Sequence, residues 1–583
     1  MKQLLKRLIH TITFGPRLLW LAAISAITAQ LMIFRYLVFD NNPWMLLHWD
    51  MATADAAIIM LPFIFLPPRW RRSVWVAFAI GTALCYANLW YCRAFYDLMP
   101  LDSIGMGANL QDRVIDGFID QLRWCDLWLL APPAAFGIVY RLLRGPRLRR
   151  RFSWRAKLTM TVASLLLYCF AFAMQAYRMY SINTDKFDYW YALTKYRSTY
   201  RLAAYKYTQH FSYMGAVWYA AWQLKTEFIH ETLSADECAD VESFWNERRQ
   251  RPSAADRFKH NRGKNLIFII VESLSADVLD LKVGGIPVTP TLDSLARTEG
   301  ALVVKHMRPQ VGHGRSSDGQ FMYNTGLLPL RHGVVAKRYP SADYPSIVKA
   351  LGVKDAVEVA GDPPTFYSHS TTNVSYGYTK FISGGTGNWR RDDWIFAQAD
   401  SVIATLKQPF VTTVITLTMH DPYKSITGKR TAISNDKRFT KDDINYMEEA
   451  HIFDKRLAWF INQLKRRGLY DNSVIVIASD HEPRRTALGP DFFTDNILLM
   501  VVNSGASLVT DRIIGQIDVF PTILDIMGVT DYTYPGVGTS IVADTTHHGL
   551  VNFDGSVVDE PADSAALHRA WDISALLIES SYF

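Results

Sequence analysis

The stretch NLIFIIVES, residues 265–273, decides the fold. Leu266 to Val271 are all apolar, mostly β-branched, and they stop at a carboxylate, Glu272. A short run with no polar alternation reads as a strand buried on both faces, which is how parallel sheets between helix layers read. Similar runs recur at Ala301–Met307, Ala356–Gly361, Phe410–Met419, Ser473–His481 and Asn496–Asn503. Helical patterns lie between several of them, as at Asp442–Arg467 and Ile514–Met527. The expectation is an α/β domain over residues 263–545, with a mainly parallel sheet and helices on both faces. Ligands of such sheets sit beyond the carboxyl ends of the strands.

Those strand ends carry the chemistry. NLIFIIVES ends in Glu272, TLTMHDPY (416–423) contains His420 and Asp421, and SVIVIASDHEP (473–483) contains Asp480 and His481. After the run at 301–307 comes GHGRSSDGQF (312–321), with Ser316, Ser317 and Asp318. Two carboxylates and a histidine converging on one sheet edge suit a divalent metal with oxygen and nitrogen ligands. A hydroxyl beside such an ion is a candidate nucleophile. Cysteine offers no competing site: there are five, no CxxC pair, and none after Cys238. A thiolate zinc site is disfavoured, and the domain that follows has to be stable from its core alone.

Charge is distributed unevenly. Residues 1–180 hold 20 Lys/Arg against 9 Asp and no Glu, a net of +11, while the whole chain is +7. The basic residues lie between five apolar stretches near 18–39, 51–67, 73–91, 127–143 and 158–177. Each approaches the roughly 20 residues that cross a bilayer. Lys2, Lys6 and Arg7, then Arg69, Arg71 and Arg72, then the arginines from Arg141 to Arg155 alternate with acidic or mixed loops. That is positive-inside topology, not a nucleic-acid surface, and five crossings put everything after residue 178 outside the cytoplasm. Residues 1–180 are expected as a transmembrane module. Residues 181–225 mix 13 aromatics with six cations, as headgroup-level helices do. Residues 181–262 are expected as that interfacial connector plus a linker, and 546–583 as a C-terminal extension.

From residue 265 to about 540 the chain resembles the lipoteichoic acid synthase branch of the alkaline phosphatase/sulfatase superfamily. NLIFIIVES, GRSSDGQF, YGYTKF (376–381), TLTMHDPY, IASDHEP and GQIDVFPTILDIMG (515–528) carry the resemblance, in matching order and spacing. The five-span module and connector look like that family too. The resemblance implies a multi-pass enzyme of the cytoplasmic membrane with its catalytic domain outside. It implies transfer of a phosphoglycerol, or a similar phospho-alcohol, from a phosphatidylglycerol-like lipid to an envelope glycan, glycolipid or polymer. By the same resemblance Ser316 is the nucleophile, standing where the family has Thr, and Glu272, Ser316, Asp480 and His481 hold one divalent ion. Mn²⁺ is favoured, with Mg²⁺ or Zn²⁺ possible. His420 is the residue implied to meet the substrate phosphate. One stretch departs from the family: Tyr367-Ser368-His369 stands where a Trp-x-Arg pattern is usual, so Tyr367, His369 and, as compensation, Arg391 are the substrate-binding candidates. Ser317 is expected to cap the helix that follows. A phosphoethanolamine transferase, a phosphodiesterase or a sulfatase-type hydrolase of the same superfamily is the alternative. No Pro or Arg follows Ser316 where formylglycine-forming sulfatases need them.

Overall fold

The structure, a computed structural model, describes residues 15–38, 48–67, 73–95, 98–99, 122–143, 151–182, 211, 215–221 and 223–224. From residue 233 it describes all but 332, 385–390, 422, 424–432, 434–435, 485–491, 533, 535, 545–548 and 560–563. Most of the expected interfacial connector, the basic segments 69–72 and 144–150, and Trp389 and Arg390 lie outside the described residues. The chain divides into two units, Met1–Leu101 with Phe118–Ile229, and Asp102–Gly117 with His230–Phe583.

In the first unit all five apolar stretches are helical. They form α1 (Gly15–Val38), α2 (Trp49–Phe65), α3 (Val74–Phe95), a 3₁₀ turn at Trp124–Leu130 leading into α4 (Ala131–Leu143), and α5 (Trp154–Ile182). Among the described residues, three segments are long and apolar enough to cross a membrane: Arg17–Val38, Val74–Arg93 and Trp154–Gln175. The other two fall short because α2 has 17 residues with Pro62 inside it, and α4 has 13. Some polar groups within this unit are answered internally, as an apolar surround favours. Arg93 pairs with Asp126 at 2.6 Å, and Gln30 donates to Thr82 at 2.6 Å.

Among the described residues, the second unit is built on a nine-stranded sheet. Its strands are β1 (Asn265–Val271), β2 (Leu302–Arg308), β3 (Asp355–Ala360), β4 (Lys380–Ser383), β5 (Phe410–Thr416), β6 (Ser473–Ser479), β7 (Ile497–Val502), β8 (Leu508–Thr510) and β9 (Ile514–Gly515). The order is β8-β2-β7-β6-β1-β5-β3-β4, with β9 also on β2. Every pairing is parallel except those of β7, which runs against β2 and β6. The sheet is therefore mixed but mostly parallel. All seven residues of β1 are buried, and so are all seven of β5 and β6.

The alternation of side chains along each strand divides the core into two layers. Phe268 and Ile270 of β1 face a cluster that includes α6 (Ala235–Arg249), α7 (Ser316–Thr325), α10 (Val519–Ile526) and α11 (Ser564–Ser580). Ile267 and Ile269 face the opposite cluster, with α8 (Asp392–Ile403) and α9 (Lys441–Arg466). The tail segment 546–583 is thus no loose appendage: Trp571, Ile573, Leu577 and Ile578 of α11 are core residues. The stretch expected as one helix at Ile514–Met527 begins instead as β9 and a 3₁₀ turn, with α10 starting at Val519.

Candidate active site

β1 and β6 are parallel neighbours, with Val271 opposite Ser479. One residue further on, their chains deliver Glu272 and Asp480 to the same point of the sheet edge. The corner is held tightly. Ser273, at φ 52°, donates its N–H to Asp480 Oδ1 at 2.8 Å, and the His481 N–H donates to the same oxygen at 2.7 Å. Glu272, Asp480 and His481 are all buried, and one ligating atom from each lies within 4.8 Å of the others. His481 Nε2 stands 3.3 Å from Glu272 Oε1 and 3.7 Å from Asp480 Oδ2.

Ser316 comes to this corner as the first residue of α7. Its Oγ is 3.2 Å from Glu272 Oε2 and 3.2 Å from His481 Nε2. Three local features hold it there. Arg315 takes a left-handed φ of 43°, turning the chain sharply into the helix, and its guanidinium pairs with Glu482. Asp318, in the first turn, draws in the approaching loop by accepting N–H groups from Gly312 at 2.9 Å and Gly314 at 3.0 Å. Gly319 lets the helix lie against the β6 terminus, since a Cβ there would meet the Asp480 carbonyl oxygen at 2.4 Å. Ser317 is not the cap that its sequence position promised. The helix already starts at Ser316, and the buried Ser317 hydroxyl donates backward to the Gly314 carbonyl at 3.0 Å.

Electrostatics at the corner are those of crowded, dry carboxylates. Burial pushes Asp480 up to about 7, the negative charge of Glu272 adds to this, and His481 opposes it. Burial acts on Glu272 as well, but the charges of His481 and His420 and hydrogen bonds from His481 and Ser273 outweigh it, leaving that carboxyl below the usual range. A further carboxylate, Asp362, is pushed to about 8 by burial and then by Glu272 and Asp480. Two buried carboxylates and one imidazole packed this closely fit a divalent cation, whose charge removes the repulsion between them. The donor set, carboxylate and hydroxyl oxygens plus one imidazole nitrogen, suits Mn²⁺, Mg²⁺ or Zn²⁺.

The remaining candidates are placed differently from one another. His420 lies near enough for its charge to act on Glu272, and its Nδ1 is 2.5 Å from the Asp421 carbonyl oxygen. Tyr367, at φ 44°, is beside the corner: burial raises its phenol, and Asp318, Asp362 and Glu272 add to the rise. His369 faces elsewhere. It is buried, with Nε2 3.2 Å from Glu358 Oε1 on β3. Burial alone lowers His369 to about 4 and is the chief reason Glu358 rises to about 8, so both are neutral at pH 7. Arg391 is half-exposed and pairs with Asp393 at 2.8 Å. Asp362 and Arg315 were not among the residues expected from sequence. Asp362 follows β3 as Asp480 follows β6, so the strand-end rule applied to EVAGDPP (358–364) locates it.

Residues 264–529 match the family model for sulfatases, and residues 1–212 match that for the lipoteichoic acid synthase N-terminal domain. The chain is a lipoteichoic acid synthase-like member of the alkaline phosphatase/sulfatase superfamily. Lipoteichoic acid synthase 2 of Bacillus subtilis is 26% identical over 510 residues, covering 83% of this chain and 76% of that one. Lipoteichoic acid synthase of Staphylococcus saprophyticus is 24% identical over 529 residues, covering 85% and 79%. Among solved structures, the lipoteichoic acid synthase LtaP from Listeria monocytogenes aligns at a TM-score of 0.48 with 21% identity, over 58% of this chain and 96% of that one. The sulfatase match opens one residue before β1 and contains the whole Glu272, Ser316, Asp480 and His481 corner. The N-terminal match covers the three helices that, among the described residues, are able to cross a membrane, so this synthase-like chain is membrane-anchored.

Proposed function

We propose that the protein is a membrane phosphoglycerol transferase in which Ser316 attacks the phosphorus of a phosphatidylglycerol-like lipid. The observation that carries this reading is the Ser316 hydroxyl, 3.2 Å from both Glu272 and His481. Glu272, Ser316, Asp480 and His481 would hold a divalent ion, Mn²⁺ by preference. When bound, that ion supplies Lewis acidity, lowering the pKa of the Ser316 hydroxyl and offsetting phosphoryl charge. Ser316 Oγ forms a bond to phosphorus, and the bond from phosphorus to the diacylglycerol oxygen breaks. Diacylglycerol takes up a proton and stays in the bilayer, leaving phosphoglycerol esterified to Ser316. A hydroxyl of a glycan, glycolipid or polymer then attacks the same phosphorus and frees Ser316. His420 and Tyr367, both close to the corner, are the residues that contact the transferred group. His369, 3.2 Å from Glu358, and Arg391, paired with Asp393, are the further substrate-binding candidates.

The domain limits fit this division of labour: 1–180 crosses the membrane, 181–262 connects, 263–545 carries the chemistry and 546–583 completes its core. In this reading α2 is a short span and α4 crosses together with the 3₁₀ turn before it, so five crossings put the catalytic unit outside the cytoplasm, on the side of the outer leaflet and its donor lipid. Paired C-terminal fusions to alkaline phosphatase and to a fluorescent protein that folds only in the cytosol test this. Cytosolic fluorescence without phosphatase activity rejects the topology.

The chemistry is tested by incubating the full-length chain with phosphatidylglycerol and Mn²⁺. Mass spectrometry then looks for a phosphoglycerol adduct on Ser316 alongside released diacylglycerol. Excess chelator should abolish both, and Mn²⁺ should restore them. Diacylglycerol release with free glycerol phosphate as the sole other product, even with acceptor present, makes the protein a hydrolase. Undiminished turnover in chelator, with no metal by elemental analysis, rejects the metal.

A further inference from the structure

Away from Ser316, a cavity of about 270 Å³ opens among α6, α11 and the segments around Gln310, Ile514 and Ser540. Arg248, Arg251 and Arg512 line it. None of the three forms an ion pair with a carboxylate among the described residues. Arg248 is only 8% exposed, and its hydrogen bond is to a neutral acceptor, the Gly538 carbonyl, at 2.8 Å. Arg251 donates to the Thr539 hydroxyl, and Arg512 to the carbonyls of Ile541 and Asp544. Two carboxylates, Asp518 and Asp544, share the lining. Asp518 is turned to backbone, accepting from Thr539 N–H at 2.8 Å and Gly515 N–H at 2.9 Å.

A buried guanidinium with no counter-charge in contact is unfavourable unless an anion reaches it. Burial first, and then the charge of Arg251, lowers Arg248 to about 9, although Asp518 and Glu247 act on it from a distance in the opposite sense. Three forked donors beside one open volume match the oxygens of a phosphate group, which arginine binds through parallel hydrogen bonds. Apolar side chains, among them Trp571, Val551 and Ile541, form another part of the wall. The volume lies just below the usual range for small-molecule pockets, about 300–1,000 Å³, so a compact ligand fits.

We propose that this cavity is a second binding site, for an organic phosphate whose anionic group is held by Arg248, Arg251 and Arg512 and whose small carbon body lies against Trp571. A free phosphate ester and one unit of a phosphodiester chain present the same chemistry. The second source rests on the transferase reading above, and the first does not. The site also has a physical connection to the catalytic corner. Gln310, in the cavity wall, donates its N–H to Gln516 at 2.7 Å, and Gln516 donates to the Asp480 carbonyl at 2.7 Å.

The test is calorimetric titration of the full-length chain in detergent, carrying Ser316→Ala so that nothing turns over. Inorganic phosphate, sn-glycerol 3-phosphate and a short glycerol-phosphate oligomer are the probes. The expected result is saturable binding that Arg251→Gln and Arg512→Gln each weaken by about tenfold or more. Arg251 is exposed, so its variant should unfold at the parent temperature, which separates lost binding from lost folding. Tighter binding of the oligomer than of the monomer assigns the site to a phosphodiester chain. Equal binding of phosphate and ester assigns it to the free anion. Absence of saturable binding by all three probes, or binding unchanged in both arginine variants, overturns the proposal. Because the readout is binding and not turnover, it stands or falls separately from the transferase assignment.

Discussion

Gly319→Ala is the sharpest test of how the site is assembled. The residue sits one turn into α7, where an added Cβ would lie 2.4 Å from the Asp480 carbonyl oxygen and 3.1 Å from its carbonyl carbon and Cα. Both obstacles are backbone at the end of a central strand, so no side chain can swing aside. Carbon and carbonyl oxygen come no closer than about 3.3 Å in ordinary packing, so the helix has to retreat by roughly 0.9 Å. Overpacking of this kind costs about 1–3 kcal/mol, which a domain of this size tolerates. The catalytic effect is larger. The retreat carries Ser316 away from Glu272 and His481, now both 3.2 Å distant, and a displacement near 1 Å costs on the order of 100-fold in rate. The assay is phosphatidylglycerol turnover by the full-length chain, measured with its thermal unfolding. The expected result is a folded protein, unfolding a few degrees lower, with turnover reduced about 100-fold. Wild-type turnover in a folded Gly319→Ala chain would falsify the claim that contact of α7 with the β6 terminus sets the Ser316 position.

Ser316→Ala should remove turnover, while Ser317→Ala, which loses only a hydrogen bond to the Gly314 carbonyl, should cost about 1 kcal/mol and keep most activity. A dead Ser317→Ala beside an active Ser316→Ala would reverse the assignment. Trp571→Ala, at a position 2% exposed in the core, should destabilise by about 3–5 kcal/mol, read from denaturant unfolding of the catalytic unit. A loss under about 1 kcal/mol would mean that α11 is peripheral. Glu358 has a folded-state pKa of about 8 against an ordinary 4.5, so the folded chain holds a proton that the unfolded chain releases. Its contribution to stability is complete below 4.5 and disappears as pH rises through 8, and Glu358→Gln should flatten the fall in unfolding temperature across that window. Equal slopes in the two proteins would show that Glu358 is already ionised at neutral pH.

Much of the candidate site could be read from strand ends. Glu272, His420, Asp480 and His481 were found because each ends a run of apolar, β-branched residues, and the sheet edge is where such runs stop. Asp362 obeys the same rule and was missed: the run Ala356–Gly361 reads as a strand, but the carboxylate directly after it stands alone, with no histidine or hydroxyl beside it to mark a site. His369 shows the opposite failure. The family resemblance set it among the substrate contacts, but the helix it begins turns its ring to the buried Glu358. The short strands β4, β8 and β9, of four, three and two residues, left too little periodicity to detect. The weight of α11 in the core was hidden because it lies far along the chain from β9, the last strand of the sheet.

What the sequence determined alone was local: apolar runs that had to be strands or membrane helices, the charge between them, and the residue types at their ends. Periodicity and solvation act over a few residues, so they are written in consecutive letters. Only the tertiary structure decided which strand lies beside which, and with it the site. Ser273 and Asp480 are 207 positions apart, yet one hydrogen bond joins them because β1 and β6 pair in register. The same holds for Gly319 against Asp480 and for three arginines around one cavity. Such contacts depend on how layers pack and on which atoms water can no longer reach, and no stretch of neighbouring residues encodes that.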